Sequence, residues 1–136
     1  MIIVLDTNIL VAGVLKPYSN SASILRLVAE GFIRVAYDLR ILTEYRDVLI
    51  RAKFNFSHEA INAFLAQLEQ EGILVSPRPL KIHLPDPDDE PFLEVASAAR
   101  ALAIITGNKR HFPKEDYEKI KILSPAEFMD YLRKRL

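Results

Sequence analysis

The chain has 136 residues and carries 18 basic and 18 acidic residues, so its formal net charge is zero. This length suits one domain with a real hydrophobic core, and the neutral balance argues against a protein that simply coats nucleic acid with positive charge. Cysteine is absent, which excludes a disulfide framework and thiolate chemistry, and no apolar run is long enough to span a membrane.

The first half of the chain alternates short apolar runs with stretches of helical spacing. It predicts a strand over residues 2–5, helices over 9–15 and 21–30, a second strand over 32–37 and a third helix over 38–51. Gly31 is a typical helix stop, and the side chain of Asp38 can cap the third helix. The strands consist almost entirely of apolar residues, which is typical of strands buried on both faces.

The second half continues this alternation. It predicts a helix over 57–72, a strand over 73–75, a proline-broken segment to 87, a helix over 88–101, strands over 103–105 and 120–123, and a last helix that runs nearly to the C terminus. Ser124-Pro125-Ala126-Glu127 is a strong start for that helix, because it combines a capping serine, a first-turn proline and a glutamate three residues later. We therefore expect a single domain over 1–136 of the α/β class, with a mostly parallel sheet of about five strands covered on both faces.

Asp6 is the first candidate functional residue. It directly follows the first predicted strand, and ligand sites of open parallel sheets lie beyond the carboxyl ends of their strands. A strand-terminal aspartate is more often a helix cap, but Thr7 and Asn8 can cap the next helix themselves and so leave Asp6 free. Glu44 lies in the third predicted helix, where its position alone indicates an ordinary exposed glutamate.

A dense acidic cluster lies at the start of the fifth predicted helix, where residues 86–90 are Asp-Pro-Asp-Asp-Glu. Stabilisation of the helix dipole explains one or two of these acids, with Asp86 or Asp88 as the cap. Together, however, the acids repel one another and raise each other's pKa unless a cation or a basic group neutralises them. Hard oxygen ligands of this kind suit Mg²⁺ or Mn²⁺.

The fourth predicted strand also ends in polar residues. Gly107 indicates a tight turn there, and Thr106 and Asn108 would project over the same edge of the sheet. None of these residues signals a function by itself. The convergence of polar groups from several strand and helix ends predicts a metal site formed by Asp6, Glu44 and one or more acids of the segment 86–90.

Four short motifs occur in a fixed order over residues 1 to about 125. They are Val4-Leu5-Asp6-Thr7-Asn8, the segment 42–49 around Glu44, the segment 86–89 before 92–96, and the segment 105–113 that begins Ile-Thr-Gly-Asn. Together they resemble the PIN-domain nucleases, especially the toxin components of bacterial and archaeal toxin–antitoxin pairs. The resemblance implies a three-layer α/β/α sandwich and a nuclease that needs Mg²⁺ or Mn²⁺.

The resemblance also implies roles for individual residues. It places the first three family acids at Asp6, Glu44 and Asp89 as catalytic residues. The implied metal ligands are Asp6 and Asp89 with Asp86 and Asp88 as accessory candidates, and the implied supporting or phosphate-binding residues are Thr7, Asn8, Thr106 and Asn108. The fourth family acid is often aspartate, and the neutral Asn108 in its place reduces the negative charge of the site.

The activity that the resemblance implies is cleavage of single-stranded or structured RNA to leave a 5′-phosphate and a 3′-hydroxyl. It also implies a homodimer and a small antitoxin protein. A segment of that antitoxin would cover the edge of the sheet where the acids gather, which we call the acidic mouth. We expect a cytoplasmic protein with no membrane partner, because the N terminus lacks the basic start and cleavage site of a signal peptide.

Other functions remain open at this point. An aspartate-based phosphotransferase also places an aspartate after its first strand, but the phosphatase type needs a second aspartate where Asn8 stands. The receiver type needs paired acids where Leu5 stands. A PIN-like module that binds RNA or a protein without cleaving RNA is a further alternative, because Asn108 is neutral.

Overall fold

The computed structural model describes residues 1–113 and 117–135, and this part of the chain contains five strands and six α-helices. The strands are β1 Ile2–Leu5, β2 Arg34–Tyr37, β3 Ile73–Leu74, β4 Ala103–Ile105 and β5 Lys121–Leu123. The helices are α1 Thr7–Leu15, α2 Asn20–Ala29, α3 Leu39–Leu49, α4 His58–Glu71, α5 Glu90–Ala99 and α6 Pro125–Arg133. Every predicted element is present, and its ends differ from the prediction by at most two residues.

The five strands form one parallel sheet in the order β3-β2-β1-β4-β5. The predicted α/β class and the three-layer α/β/α arrangement are thereby confirmed. β1 lies at the centre, between β2 and β4, and the chain order reverses between β1 and β4. Such a reversal opens a crevice at the carboxyl ends of the two strands, where ligands of open α/β sheets bind.

The core surrounds the central strands. Ile3, Val4 and Leu5 of β1 are completely buried, as the uninterrupted apolar run predicted. Tyr45 of α3 is also completely buried, and its hydroxyl donates a hydrogen bond to the carbonyl oxygen of Leu5. This bond fixes α3 against the last residue of β1, directly before Asp6.

The helix ends follow the sequence signals. Asp38 caps α3 by accepting a hydrogen bond from the backbone N–H of Ile41, at 3.0 Å. Ser124 and Glu127 form the predicted capping box at the start of α6. Gly31 follows α2 with a φ of +83°, a left-handed conformation that glycine adopts without strain. In the two described ranges, no helix is both long and apolar enough to cross a membrane.

We predict that Gly72→Ala destabilises the protein, because Gly72 joins α4 to β3 in a space without room for a side chain. A Cβ atom there would lie 2.5 Å from the carbonyl oxygen of Leu68 and 2.6 Å from that of Val35. Overpacking against backbone atoms should reduce the free energy of unfolding by about 1–3 kcal/mol, measured by urea denaturation. Gly107→Ala is the control, because a Cβ there would meet only Asn8, at 3.6 Å. Equal stability of the two variants would contradict this prediction.

Candidate active site

Asp6 lies at the end of β1 and at the N-cap position of α1. Its carboxylate makes no capping hydrogen bond and instead accepts one from the hydroxyl of Thr106, at 2.7 Å. Asp6 is 8% exposed, and Thr106 is completely buried. A buried carboxylate therefore joins the ends of β1 and β4 across the crevice where the chain order reverses.

Thr106 also organises the turn that follows β4. Its hydroxyl oxygen accepts a hydrogen bond from the backbone N–H of Asn108, at 2.9 Å. Asn108 is exposed, and its side chain does not cap the short 3₁₀ turn Lys109–His111 that it precedes. The two predicted supporting residues thus differ, since Thr106 contacts Asp6 directly and Asn108 contributes a backbone group to this arrangement.

Glu44 is brought to the same region through Thr7. The hydroxyl of Thr7, the first residue of α1, donates a hydrogen bond to Oε2 of Glu44 on α3. The prediction that Thr7 and Asn8 cap α1 is wrong, because the extended backbone of Asp6 occupies the N-cap position and both residues lie within the helix. Asp6 is nevertheless free of a capping role, since its side chain points to Thr106. Asn8 is exposed.

The acidic segment 86–89 has one capping residue and one partly buried carboxylate. Asp86 accepts a hydrogen bond from the N–H of Asp88, at 2.9 Å, and thus caps the 3₁₀ turn Pro87–Asp89. Both Asp86 and Asp88 are exposed, whereas the side chain of Asp89 is 13% exposed. Within the described residues, Oδ2 of Asp89 is buried and has no hydrogen-bond partner.

His111 is the residue that the sequence analysis missed. Its Nδ1 lies 3.0 Å from Oδ2 of Asp89, close enough for an ion pair when the imidazole is protonated, and this contact lowers the pKa of Asp89. His111 belongs to the motif 105–113, so the placement of that motif at the mouth of the sheet was the available signal. The pairing itself joins two distant segments and has no local sequence pattern.

The remaining acids of this region stabilise the loop before α5. Glu90 accepts a hydrogen bond from the N–H of Leu84, at 3.2 Å, and Glu94 accepts one from the N–H of Leu80, at 3.3 Å. Glu94 also pairs with Arg40, at 2.8 Å. These glutamates therefore hold the proline-broken segment against α5 and do not belong to the carboxylate group around Asp6.

The three central carboxylates share one electrostatic environment. Burial is the largest effect on each, and it raises the pKa of Asp6, of Glu44 and of Asp89. The hydrogen bonds from the two threonines act in the opposite direction, lowering the pKa of Asp6 and of Glu44. The charge of Asp6 further raises the pKa of Glu44 and of Asp89, while a charged His111 lowers the pKa of Asp6 and of Asp89.

The exposed acids Asp86 and Asp88 act on this group as well. The charge of Asp88 contributes to the raised pKa of Glu44, and that of Asp86 contributes to the raised pKa of Asp89. Negative charge from three segments of the chain therefore accumulates at one place, and a bound cation would relieve the repulsion.

The donor set suits a divalent cation. It consists of carboxylate oxygens, which Mg²⁺ and Mn²⁺ prefer, and it includes the buried Oδ2 of Asp89. Across 1–113 and 117–135, however, no three acidic or histidine side chains are placed to hold one ion together. Each central carboxylate instead faces its own neighbour, which is Thr106, Thr7 or His111. Convergence on one ion stays a prediction that requires these side chains to turn.

We predict that Thr106→Val destabilises the protein by about 1–3 kcal/mol, because the buried Asp6 loses its donor and the N–H of Asn108 loses its acceptor. In the wild-type protein, the hydrogen bond from Thr106 lowers the pKa of Asp6. Its removal in the variant therefore raises that pKa further. The folded variant then binds protons more tightly than the folded wild type does, so the loss of stability relative to wild type should grow as the pH rises from acid to neutral.

Urea denaturation at acidic and neutral pH measures this effect. Thr43→Val on the exposed face of α3 is the matched control and should change stability little. A Thr106→Val variant that loses no more stability at neutral pH than in acid would show that its hydroxyl does not stabilise the charged form of Asp6.

Comparison with known proteins agrees with this geometry. None of the curated proteins compared matches the chain. A family model described as a PIN domain matches residues 2–110, a range that contains every carboxylate and threonine of the candidate site. PIN domains are commonly nucleases and generally use divalent metal ions. The chain belongs to the PIN-domain family.

Proposed function

We propose that the protein is a metal-dependent endoribonuclease that hydrolyses RNA phosphodiester bonds with Mg²⁺ or Mn²⁺. The observation that carries this proposal is the buried carboxylate of Asp6 at the reversal of the sheet, where its charge raises the pKa of both Glu44 and Asp89. Because these acids come from different elements, the fold maintains the repulsion between Asp6 and the other two. A cation-dependent reaction is a physical reason to keep such an arrangement.

The biological role that we propose is that of the toxin of a toxin–antitoxin pair, formed by a single domain over 1–136. A homodimer and a small antitoxin whose segment covers the acidic mouth complete this proposal. Support for these points is the resemblance of the four ordered motifs, together with membership of the PIN-domain family.

Asp6 and Asp89 would hold one or two divalent ions, with the exposed Asp86 and Asp88 as further candidate ligands. When bound, such an ion lowers the pKa of a water molecule and offsets the charge that develops on the phosphate. Thr7 holds Oε2 of Glu44, which leaves Oε1 to accept a hydrogen bond from the attacking water and orient it. Attack in line with the leaving oxygen would release a 3′-hydroxyl and a 5′-phosphate.

The threonines and asparagines of the site would support this reaction. Thr106 keeps the carboxylate of Asp6 in place through its hydrogen bond, and Thr7 does the same for Glu44. Asn8 and Asn108 are exposed at the mouth, where their amide groups would donate hydrogen bonds to phosphate oxygens.

Basic residues around the mouth support a polyanionic substrate. The charge of Arg51 lowers the pKa of Glu44, so this guanidinium lies near the site. Arg110 is exposed in the turn that follows Asn108. These cations would contact phosphates on either side of the scissile bond, and phosphate contacts of this kind contribute most of the affinity for nucleic acid.

We predict that the wild-type protein cleaves RNA in the presence of Mn²⁺ and that Asp6→Asn and Glu44→Gln each reduce the rate by about 100-fold or more. Cleavage of several labelled RNAs would be followed by gel electrophoresis, with circular dichroism to confirm folding. Asp47→Asn is the matched control, because Asp47 is exposed on the same helix as Glu44 and should retain activity. If well-folded wild-type protein leaves every RNA intact, a PIN-like module that binds RNA or a protein replaces the nuclease.

We also predict that Mg²⁺ or Mn²⁺ raises the melting temperature, since a ligand that binds only the folded state stabilises it by about 2.7 kcal/mol at 100 times its Kd. Asp6→Asn should lose most of this rise, because the substitution removes a central negative charge. Thermal unfolding with and without each ion, at constant ionic strength, provides the measurement. A full response in the Asp6→Asn variant would mean that the ions bind elsewhere.

A further inference from the structure

The neutral Asn108 leaves the predicted metal site one charged donor short. Its side chain is exposed and does not cap the turn that it begins. Three residues later in the same turn, the side chain of His111 reaches the carboxylate of Asp89. The turn after β4 therefore delivers an imidazole, rather than a fourth carboxylate, to the acidic group.

The spacing of this histidine and Asp89 is that of two neighbouring metal ligands. Nδ1 of His111 lies 3.0 Å from Oδ2 of Asp89. Two donor atoms at right angles around one ion, each ~2.1 Å from it, are roughly 3.0 Å apart. Oδ2 of Asp89 is buried, and its close neighbour among the described residues is this imidazole, with which it makes no well-aligned hydrogen bond.

A second histidine–glutamate pair shows what an ordinary surface contact looks like in this chain. Nδ1 of His83 lies 3.8 Å from Oε2 of Glu90, and the side chain of His83 is 93% exposed. The same oxygen of Glu90 already accepts a hydrogen bond from the N–H of Leu84. The pair formed by His111 and Asp89 is closer and more buried, and its acceptor oxygen has no such bond.

We propose that His111 is a ligand of the divalent ion, supplying the donor that a fourth carboxylate would otherwise provide, and that it makes the site prefer Mn²⁺ to Mg²⁺. Mg²⁺ prefers oxygen ligands and sheds its water reluctantly, whereas imidazole is a common ligand of first-row transition ions. This proposal rests on the proposed function, because it assigns one further ligand to the same metal site.

Electron spin echo envelope modulation of the Mn²⁺-loaded protein detects a nitrogen that is bound directly to the ion. We expect nitrogen coupling in the wild-type complex and none in His111→Leu, which keeps an apolar side chain at this position but has no donor. Isothermal titration should show Mn²⁺ affinity reduced about 10-fold or more by this substitution and Mg²⁺ affinity reduced by no more than about threefold. His83→Leu is the matched control and should leave both affinities and the coupling unchanged.

A double variant, His111→Leu with Asn108→Asp, tests whether the imidazole replaces the missing acid. It should bind Mn²⁺ more tightly than His111→Leu alone and show no nitrogen coupling. If the double variant binds Mn²⁺ no more tightly than His111→Leu does, the imidazole does not take the place of the missing carboxylate.

The outcomes separate this proposal from the proposed function. Mn²⁺ binding that depends on Asp6 but shows no nitrogen coupling in the wild-type complex would overturn the role of His111 alone and leave the nuclease proposal intact. Failure of the wild-type protein to bind Mn²⁺ or Mg²⁺ at all would overturn both.

Discussion

The hydrogen bond from Thr106 to Asp6 is the interaction on which the candidate site depends. Leu5 and Ile105 are register partners in β1 and β4, so the two residues that follow them emerge side by side at the carboxyl edge of the sheet. A backbone hydrogen bond also joins the two strand ends, because the N–H of Asp6 donates to the carbonyl oxygen of Ile105, at 3.0 Å. A carboxylate that is this deeply buried is destabilised by loss of water, and a donor at 2.7 Å compensates part of that loss. Parallel pairing of the two central strands thus determines where a charge can be buried.

The acids that stabilise the packing of the helices and the acids of the candidate site have different kinds of partner. Asp38 and Glu94 are both neutralised by the guanidinium of Arg40, at 2.7 Å and 2.8 Å, and they connect α3 to α5. Asp6 and Glu44 instead accept hydrogen bonds from neutral threonine hydroxyls, which orient a carboxylate without cancelling its charge. The charges of Asp38 and Glu94 are therefore compensated by an ion pair, whereas those of Asp6 and Glu44 are not, in agreement with the raised pKa values of these two site acids.

Local patterns in the sequence predicted the helices and strands. Contacts between side chains that are distant in the sequence could not be predicted from such patterns. The apolar run before Asp6 predicted both the buried strand and the position of the acid at its end, because strand burial and strand ends are local properties. Thr7 was misinterpreted as a cap because its partner is Glu44, 37 residues away, and only the packing of α1 against α3 brings the hydroxyl to that carboxylate. His111 escaped notice for the same reason, since nothing near it in the sequence indicates its approach to Asp89.

The neutral residue at position 108 has a physical consequence for the protein before any ion binds. Burial raises the pKa of Asp6, Glu44 and Asp89, and the charge of Asp6 raises the pKa of the other two further, so repulsion in the metal-free site grows with the number of charges. A carboxylate at position 108 would add to that repulsion, because the backbone N–H of this residue is bonded to the same Thr106 hydroxyl that holds Asp6. Asparagine keeps an amide oxygen at the mouth without adding charge. For the metal site that we propose, stability of the metal-free state and affinity for the ion would therefore oppose each other at this residue, and a neutral histidine ligand would be compatible with both.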